Sequence, residues 1–176
     1  SADGDLRISG GRLSVAGRSD AIGNGSQSVR SDLAAGSLTA ASATGNLLLA
    51  AVATLDVSGA GDGDAGRLSL AAPQGTLALA GNLRADASDA AVMAAGLRLD
   101  SREPVKLDDL STAIAQAGHR GFEQQIAVRN RGGDQVLPAG ARLRAQSLQI
   151  SSDAGSLTVA GELVALPSAA GGGLIQ

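Results

Sequence analysis

The chain has 176 residues, a net charge of −3 and a sequence pI near 5.0, so it lacks the basic footprint that nucleic-acid binding requires. Apolar residues make up 44% of it, enough for a sizeable core, yet with one Phe and no Trp or Tyr that core must be built from Leu, Val, Ile and Ala. The absence of Cys excludes disulfides, thiolate metal sites and cysteine nucleophiles within the chain.

Ser1 to Gly10 has neither the charged start nor the apolar run of a signal peptide, and nowhere is there an apolar stretch of roughly 18 residues to span a membrane. If the protein is secreted, its export address is expected outside this sequence. Leu6-Arg7-Ile8 and Leu13-Ser14-Val15 carry the two-residue alternation of short strands with one buried face. Three stretches then share one frame: Leu38 to Val57, Leu68 to Ala87 and Leu148 to Pro167. Each opens on Leu, places Gly seven residues on (Gly45, Gly75, Gly155) and Leu nine residues on (Leu47, Leu77, Leu157). A third Leu follows at Leu55, Leu83 and Leu163, the first copy being two residues longer there.

Alternating pairs such as Leu68/Leu70 and Leu77/Leu79, separated by turns such as Ala72-Pro73-Gln74-Gly75, predict three short strands and three turns per frame. One such unit cannot hide its inward Leu residues, so units must stack, each strand pairing with its equivalent above and below. Small branched residues recurring at one position fill stacked layers without aromatics. The predicted fold is all-β, a right-handed parallel β-helix, the hand following from the preference of parallel crossovers. Both chain ends read as cut from a longer array, and about six to seven coils at ~4.8 Å would make a rod on the order of 30 Å.

Two polar turns interrupt the pattern, Ser58 to Gly66 and Pro167 to Gly173. Asp62 and Asp64 in the first offer oxygen ligands and resemble a fragment of a calcium-binding nonapeptide, but a single copy without the full order reads as a solvated turn. No metal or other cofactor is expected.

Residues 1–99 and 134–176 are thus predicted to be coils of one solenoid, and 100–133 a partly helical insertion that leaves the wall as a small lobe. A short helix is expected near 109–117, with acidic Asp108 and Asp109 at its start, Gly118 at its end and Leu107, Leu110 and Ile114 on one face. The insertion holds the only His and the only Phe. Arg102, His119, Arg120, Phe122, Arg129 and Arg131 are its candidate ligand-contact residues. A catalytic reading would make His119 a base oriented by Asp108, Asp109 or Glu123. No recurring acid pair forms a catalytic face, sugar-stacking aromatics are missing and Lys106 is the only Lys, so no catalytic residue is assigned.

The runs Ile126-Ala127-Val128-Arg129-Asn130-Arg131-Gly132-Gly133-Asp134, Leu137-Pro138-Ala139-Gly140 and Asp153-Ala154-Gly155-Ser156-Leu157-Thr158-Val159-Ala160-Gly161 resemble the large exoproteins of the filamentous haemagglutinin family. Autotransporter passengers share similar repeats. The resemblance implies a secreted or surface-exposed protein of a Gram-negative bacterium, with the β-helix as shaft. An outer-membrane two-partner secretion transporter would be its partner during export, and host-cell receptors or glycans its contacts. The Asn-Pro motifs of that family's secretion domain are absent, so this piece is not expected to be the export signal. The function expected is a structural and adhesive shaft, monomeric as a fragment and not inserted in a membrane. One alternative is a glycan- or receptor-binding module acting through 100–133. The other is a polysaccharide lyase or hydrolase on the same fold.

Overall fold

The computed structural model describes residues 1–24, 27–168 and 171–176. The chain opens with β1 (Leu6–Ile8) and β2 (Gly11–Ser14), leaves through a hairpin of β3 (Arg18–Asn24) and β4 (Gln27–Leu33), and continues as β5 (Ser37–Ala41), β6 (Leu47–Leu49) and β7 (Ala53–Asp56). The next passage is β8 (Arg67–Ala72), β9 (Leu77–Leu79) and β10 (Asn82–Arg84). After it, β11 (Gly96–Ser101) is followed by helix α1 (Leu107–Ala115) in place of two strands. Two complete passages then run β12 (Gln125–Asn130), β13 (Gln135–Leu137), β14 (Arg142–Ala145) and β15 (Ser147–Ser152), β16 (Leu157–Val159), β17 (Glu162–Ala165), before β18 (Leu174–Ile175).

The strands fall into three columns. One is a six-stranded sheet in the order β18-β15-β12-β11-β8-β5; by the repeat frame the other two each comprise two separate sheets, β1-β6-β9 and β13-β16, and β2-β7-β10 and β14-β17. Every pairing in the columns is parallel; among the described strands the antiparallel pair is the hairpin, and an isolated antiparallel bridge joins Ser168 and Gly171. The molecule is therefore all-β in its main part, built from parallel sheets. Register follows the repeat frame residue for residue, with Leu38 opposite Leu68, Leu47 opposite Leu77 and Leu55 opposite Leu83. One residue of slip would turn each buried Leu to solvent, so the alternation itself specifies the register.

Inward side chains of all three columns join one core, in which Leu47, Leu49, Leu55, Leu68, Leu70, Leu97 and Leu99 are fully buried. The recurring Gly sits where consecutive passages touch. A methyl on Gly75 would lie 2.2 Å from the carbonyl oxygen of Gly45, and one on Gly155 2.1 Å from that of Gly133. The repeat keeps Gly there because backbone from the neighbouring passage occupies the place of a side chain.

Turns are joined by a second device. The Asp5 carboxylate accepts from the Asn46 N–H (2.7 Å), and the Asn46 amide oxygen from the Thr76 N–H (2.8 Å). Asp32 accepts from Asp62 N–H (3.1 Å), Asp64 from Met93 N–H (2.7 Å), Asp86 from His119 N–H (2.7 Å) and Asp134 from Ser156 N–H (2.8 Å). In all of these the earlier passage supplies the side-chain acceptor and the later one the backbone donor. Asp64 is thus engaged with backbone, and no metal-capable cluster of three or more His, Cys, Asp or Glu occurs among the described residues. Of the turn from Pro167 to Gly173, residues 169 and 170 lie outside the described part.

The segment 100–133 departs from expectation. Its first residues belong to β11 and residues 125–130 are β12, in unbroken register from Gly96 opposite Gln125 to Ser101 opposite Asn130. What lies between is no separate lobe, because Leu107, Leu110, Ala117 and Phe122 are buried in the same core as the strands. The helix starts two residues before the expected 109, since Leu107 is already part of its buried stripe while Asp108 and Asp109 face its solvated first turn. A helix is about 10–12 Å across and strands stack ~4.8 Å apart, so α1 cannot enter a ladder. It leans on the wall against β10, β13 and β14.

Beside it the core is closed by a side chain acting as backbone. The buried Gln135 amide donates to the Val105 carbonyl (2.7 Å) and accepts from the Val105 N–H (3.2 Å), restoring the two bonds a strand would have made there.

Candidate functional site

The expected ligand-contact residues divide into two groups at opposite ends of β12. Arg102, Arg129 and Arg131 gather at the turn after β11 and β12, where Arg131 N–H donates to the Ser101 carbonyl and Gly132 N–H to that of Arg102. His119, Arg120 and Phe122 lie where the chain comes back to begin β12. Six strand residues at ~3.3 Å each put on the order of 20 Å between the groups. They do not form one site.

At the first end the charges are spent on neighbours. Arg129 grips the Asp153 carboxylate with two nitrogens, Nη2 to Oδ2 at 2.7 Å and Nε to Oδ1 at 3.1 Å; Arg131 does the same to Asp100 at 2.7 and 2.9 Å. These paired bonds hold Asp100 and Asp153 below the usual carboxylate range and raise both guanidinium values. Arg102 is exposed; its backbone N–H donates to the Ala72 and Gly75 carbonyls, and no partner of its side chain occurs among the described residues.

At the second end Phe122 is wholly buried and offers no surface to a ligand. Arg120 is turned onto the chain, donating to the carbonyls of Val92 (2.7 Å) and Asp89. His119 is exposed, with its N–H on Asp86 and its carbonyl accepting from Ala87 N–H. Glu123, one proposed orienter of that imidazole, instead binds Arg144 at 2.9 Å and Arg120 at 3.5 Å. Asp108 and Asp109 stand at the far end of α1, on the order of 10 Å along its axis at 1.5 Å per residue. No base-and-orienter pair is assembled around His119.

Two clefts flank α1. One of about 320 Å³ lies between the end of the helix and β14, with Arg120, Glu123, Arg142 and Arg144 around it and Phe122 at its floor. Arg142 pairs with Glu162 at 3.1 Å, so three guanidinium groups face two carboxylates there. Arg142 and Arg144 escaped the sequence reading, although their alternation about inward Leu143 is the signal that puts both on the outer face. The second cleft, about 560 Å³, lies between β9 and α1 and is lined chiefly by small and apolar residues.

The hairpin was also missed by the sequence reading. Its Ile22 and Val29 stand directly opposite each other and are 67% and 72% exposed, while on its other face Arg30, Ser19 and Asp32 bond to one another and Asp32 accepts from the Asp62 N–H. The Ser19 hydroxyl, the Asp62 N–H and the Arg30 guanidinium lower the Asp32 carboxyl to about 2. No helix among the described residues is long and apolar enough to cross a membrane. No family model matches the chain, and no curated protein or solved structure matches it.

Proposed function

We propose that this chain is a right-handed parallel β-helix and a structural, adhesive shaft segment of a secreted or surface-exposed filamentous haemagglutinin-like exoprotein, exported by two-partner secretion and without enzymatic activity. The observation that carries the reading is the repetition of one register through all three columns, with turn side chains consumed in contacts between passages. An array of that kind gains stability with each added layer, and its polar groups serve the array before any ligand.

The alternative, a module for acidic glycans, draws on the cleft beside α1 where Arg120, Arg142 and Arg144 exceed Glu123 and Glu162 by one charge. The test is binding of the chain to epithelial cells and to a panel of neutral and acidic glycans, beside an Arg142→Ser/Arg144→Ser variant. A shaft segment gives weak binding that is equal for the two proteins. Saturable binding lost in the variant makes it a glycan module, and release of reducing or unsaturated sugar overturns the non-enzymatic reading.

A further inference from the structure

β9 is the last strand of its sheet, because the next passage puts α1 where a strand would stand. Its hydrogen bonds to β6 fix which of its groups are used. The Thr76 carbonyl accepts from Leu47 N–H and the Ala80 N–H donates to the Leu49 carbonyl. With a period of two, Ala78 also points to β6, and the N–H and C=O groups of Leu77 and Leu79 point the other way, into the 560 Å³ cleft. No partner for them occurs among the described residues. The opposite wall does not supply one: Pro104 has no N–H, Val105 gives both its backbone groups to Gln135, and no backbone group of α1 bonds to β9.

The column also states what would fit. Its members read Leu6-Arg7-Ile8, Leu47-Leu48-Leu49, Leu77-Ala78-Leu79, Gln135-Val136-Leu137 and Leu157-Thr158-Val159, apolar at both inward positions except at Gln135, whose amide is spent on Val105. A strand lying along β9 in that cleft would extend the β1-β6-β9 sheet. We propose that this cleft binds an extended segment of a partner polypeptide, apolar at alternate residues, which adds as a strand to the free edge of β9. Main-chain bonds to Leu77 and Leu79 supply affinity, and the alternate side chains supply selectivity.

The probe is the capped heptapeptide Thr-Leu-Ala-Leu-Ala-Gly-Asn, the sequence of residues 76 to 82, with amide hydrogen exchange followed residue by residue. Saturating peptide should slow exchange at Leu77 and Leu79 by about tenfold, the size of one net hydrogen bond, and leave Ala78 and Ala80 unchanged. The same peptide N-methylated at alternate residues should give no protection. Thr112→Trp, at an exposed position on the rim, should abolish the effect without moving the melting temperature. Unchanged rates at Leu77 and Leu79, or equal protection by the methylated peptide, would overturn the proposal. Protection that rises with protein concentration alone would assign the edge to a second copy of the chain instead.

Discussion

At the scale of single residues, the molecule separates positions by what the neighbouring passage puts against them. Gly75 faces a carbonyl oxygen, whereas Gly4 faces open space. Gly75→Ala should therefore cost about 1–3 kcal/mol, the range for forcing extra volume into packed structure, and Gly4→Ala should leave denaturant unfolding unchanged. Leu77 and Asp62 form a similar contrast. A charge at buried Leu77 has no partner, so Leu77→Asp should unfold or aggregate the chain. Asp62 contributes its backbone N–H rather than its carboxylate to the contact with Asp32, so Asp62→Ala should melt with the parent. Equal melting of all four variants would contradict this account. These residues were legible in the sequence because the repeat holds Leu and Gly at fixed places. Asp5, Asp86 and Asp134 were not, since their partners are backbone groups 22 to 41 residues away and no side-chain pattern marks a backbone donor.

At the scale of elements, α1 replaces two strands and the structure compensates locally. Gln135 stands in for one missing backbone pairing, and Gln135→Leu would leave the Val105 N–H and C=O buried without partners. A loss of about 1–3 kcal/mol follows, measurable by urea unfolding, and a neutral result would mean that Val105 finds other bonds. The helix itself was readable from its acidic start and apolar stripe, but its role in the common core was not. Lapsed alternation looks the same in sequence whether a segment leaves the wall or leans on it. The arginine cluster misled for a related reason: Arg120, 9 to 18 residues from Arg102, Arg129 and Arg131 in sequence, lies at the opposite end of β12 from them. The sequence carries a hairpin signal in the dipeptide Asn24-Gly25, yet the two strands alternate polar with weakly apolar residues and so lack the Leu frame.

At the scale of the whole molecule, carboxylates are the common fastening. Asp32, Asp100, Asp134 and Asp153 are held below the ordinary value by hydrogen bonds and arginines. Burial pushes Asp56 upward, but the Ser58 hydroxyl and N–H and the Arg12 guanidinium outweigh it, and the net direction is also down. A folded value below the unfolded one means that the stabilisation is complete above the unfolded value of 3.8 and is lost as pH falls through the folded one, about 2 for Asp32. Melting temperature should thus be level near neutrality and drop between pH 4 and about 2. High salt should weaken the exposed pairs in the same direction at neutral pH. A flat acid profile would remove the carboxylates from the account of stability.

The turn contacts have one further consequence. Because in these six turn contacts the side-chain oxygen belongs to the earlier passage and the N–H to the later one, the Gln135–Val105 pair beside α1 being the reverse, the array has a direction, as a ratchet has. A chain emerging N-terminus first meets acceptors already set out by what has folded before it, and each arriving turn has only to offer its amide. Growth from the other end would have to recruit loose carboxylates onto fixed amides, at the entropic cost of ordering each side chain. Assembly is thereby biased to run one way, from the first passage to the last.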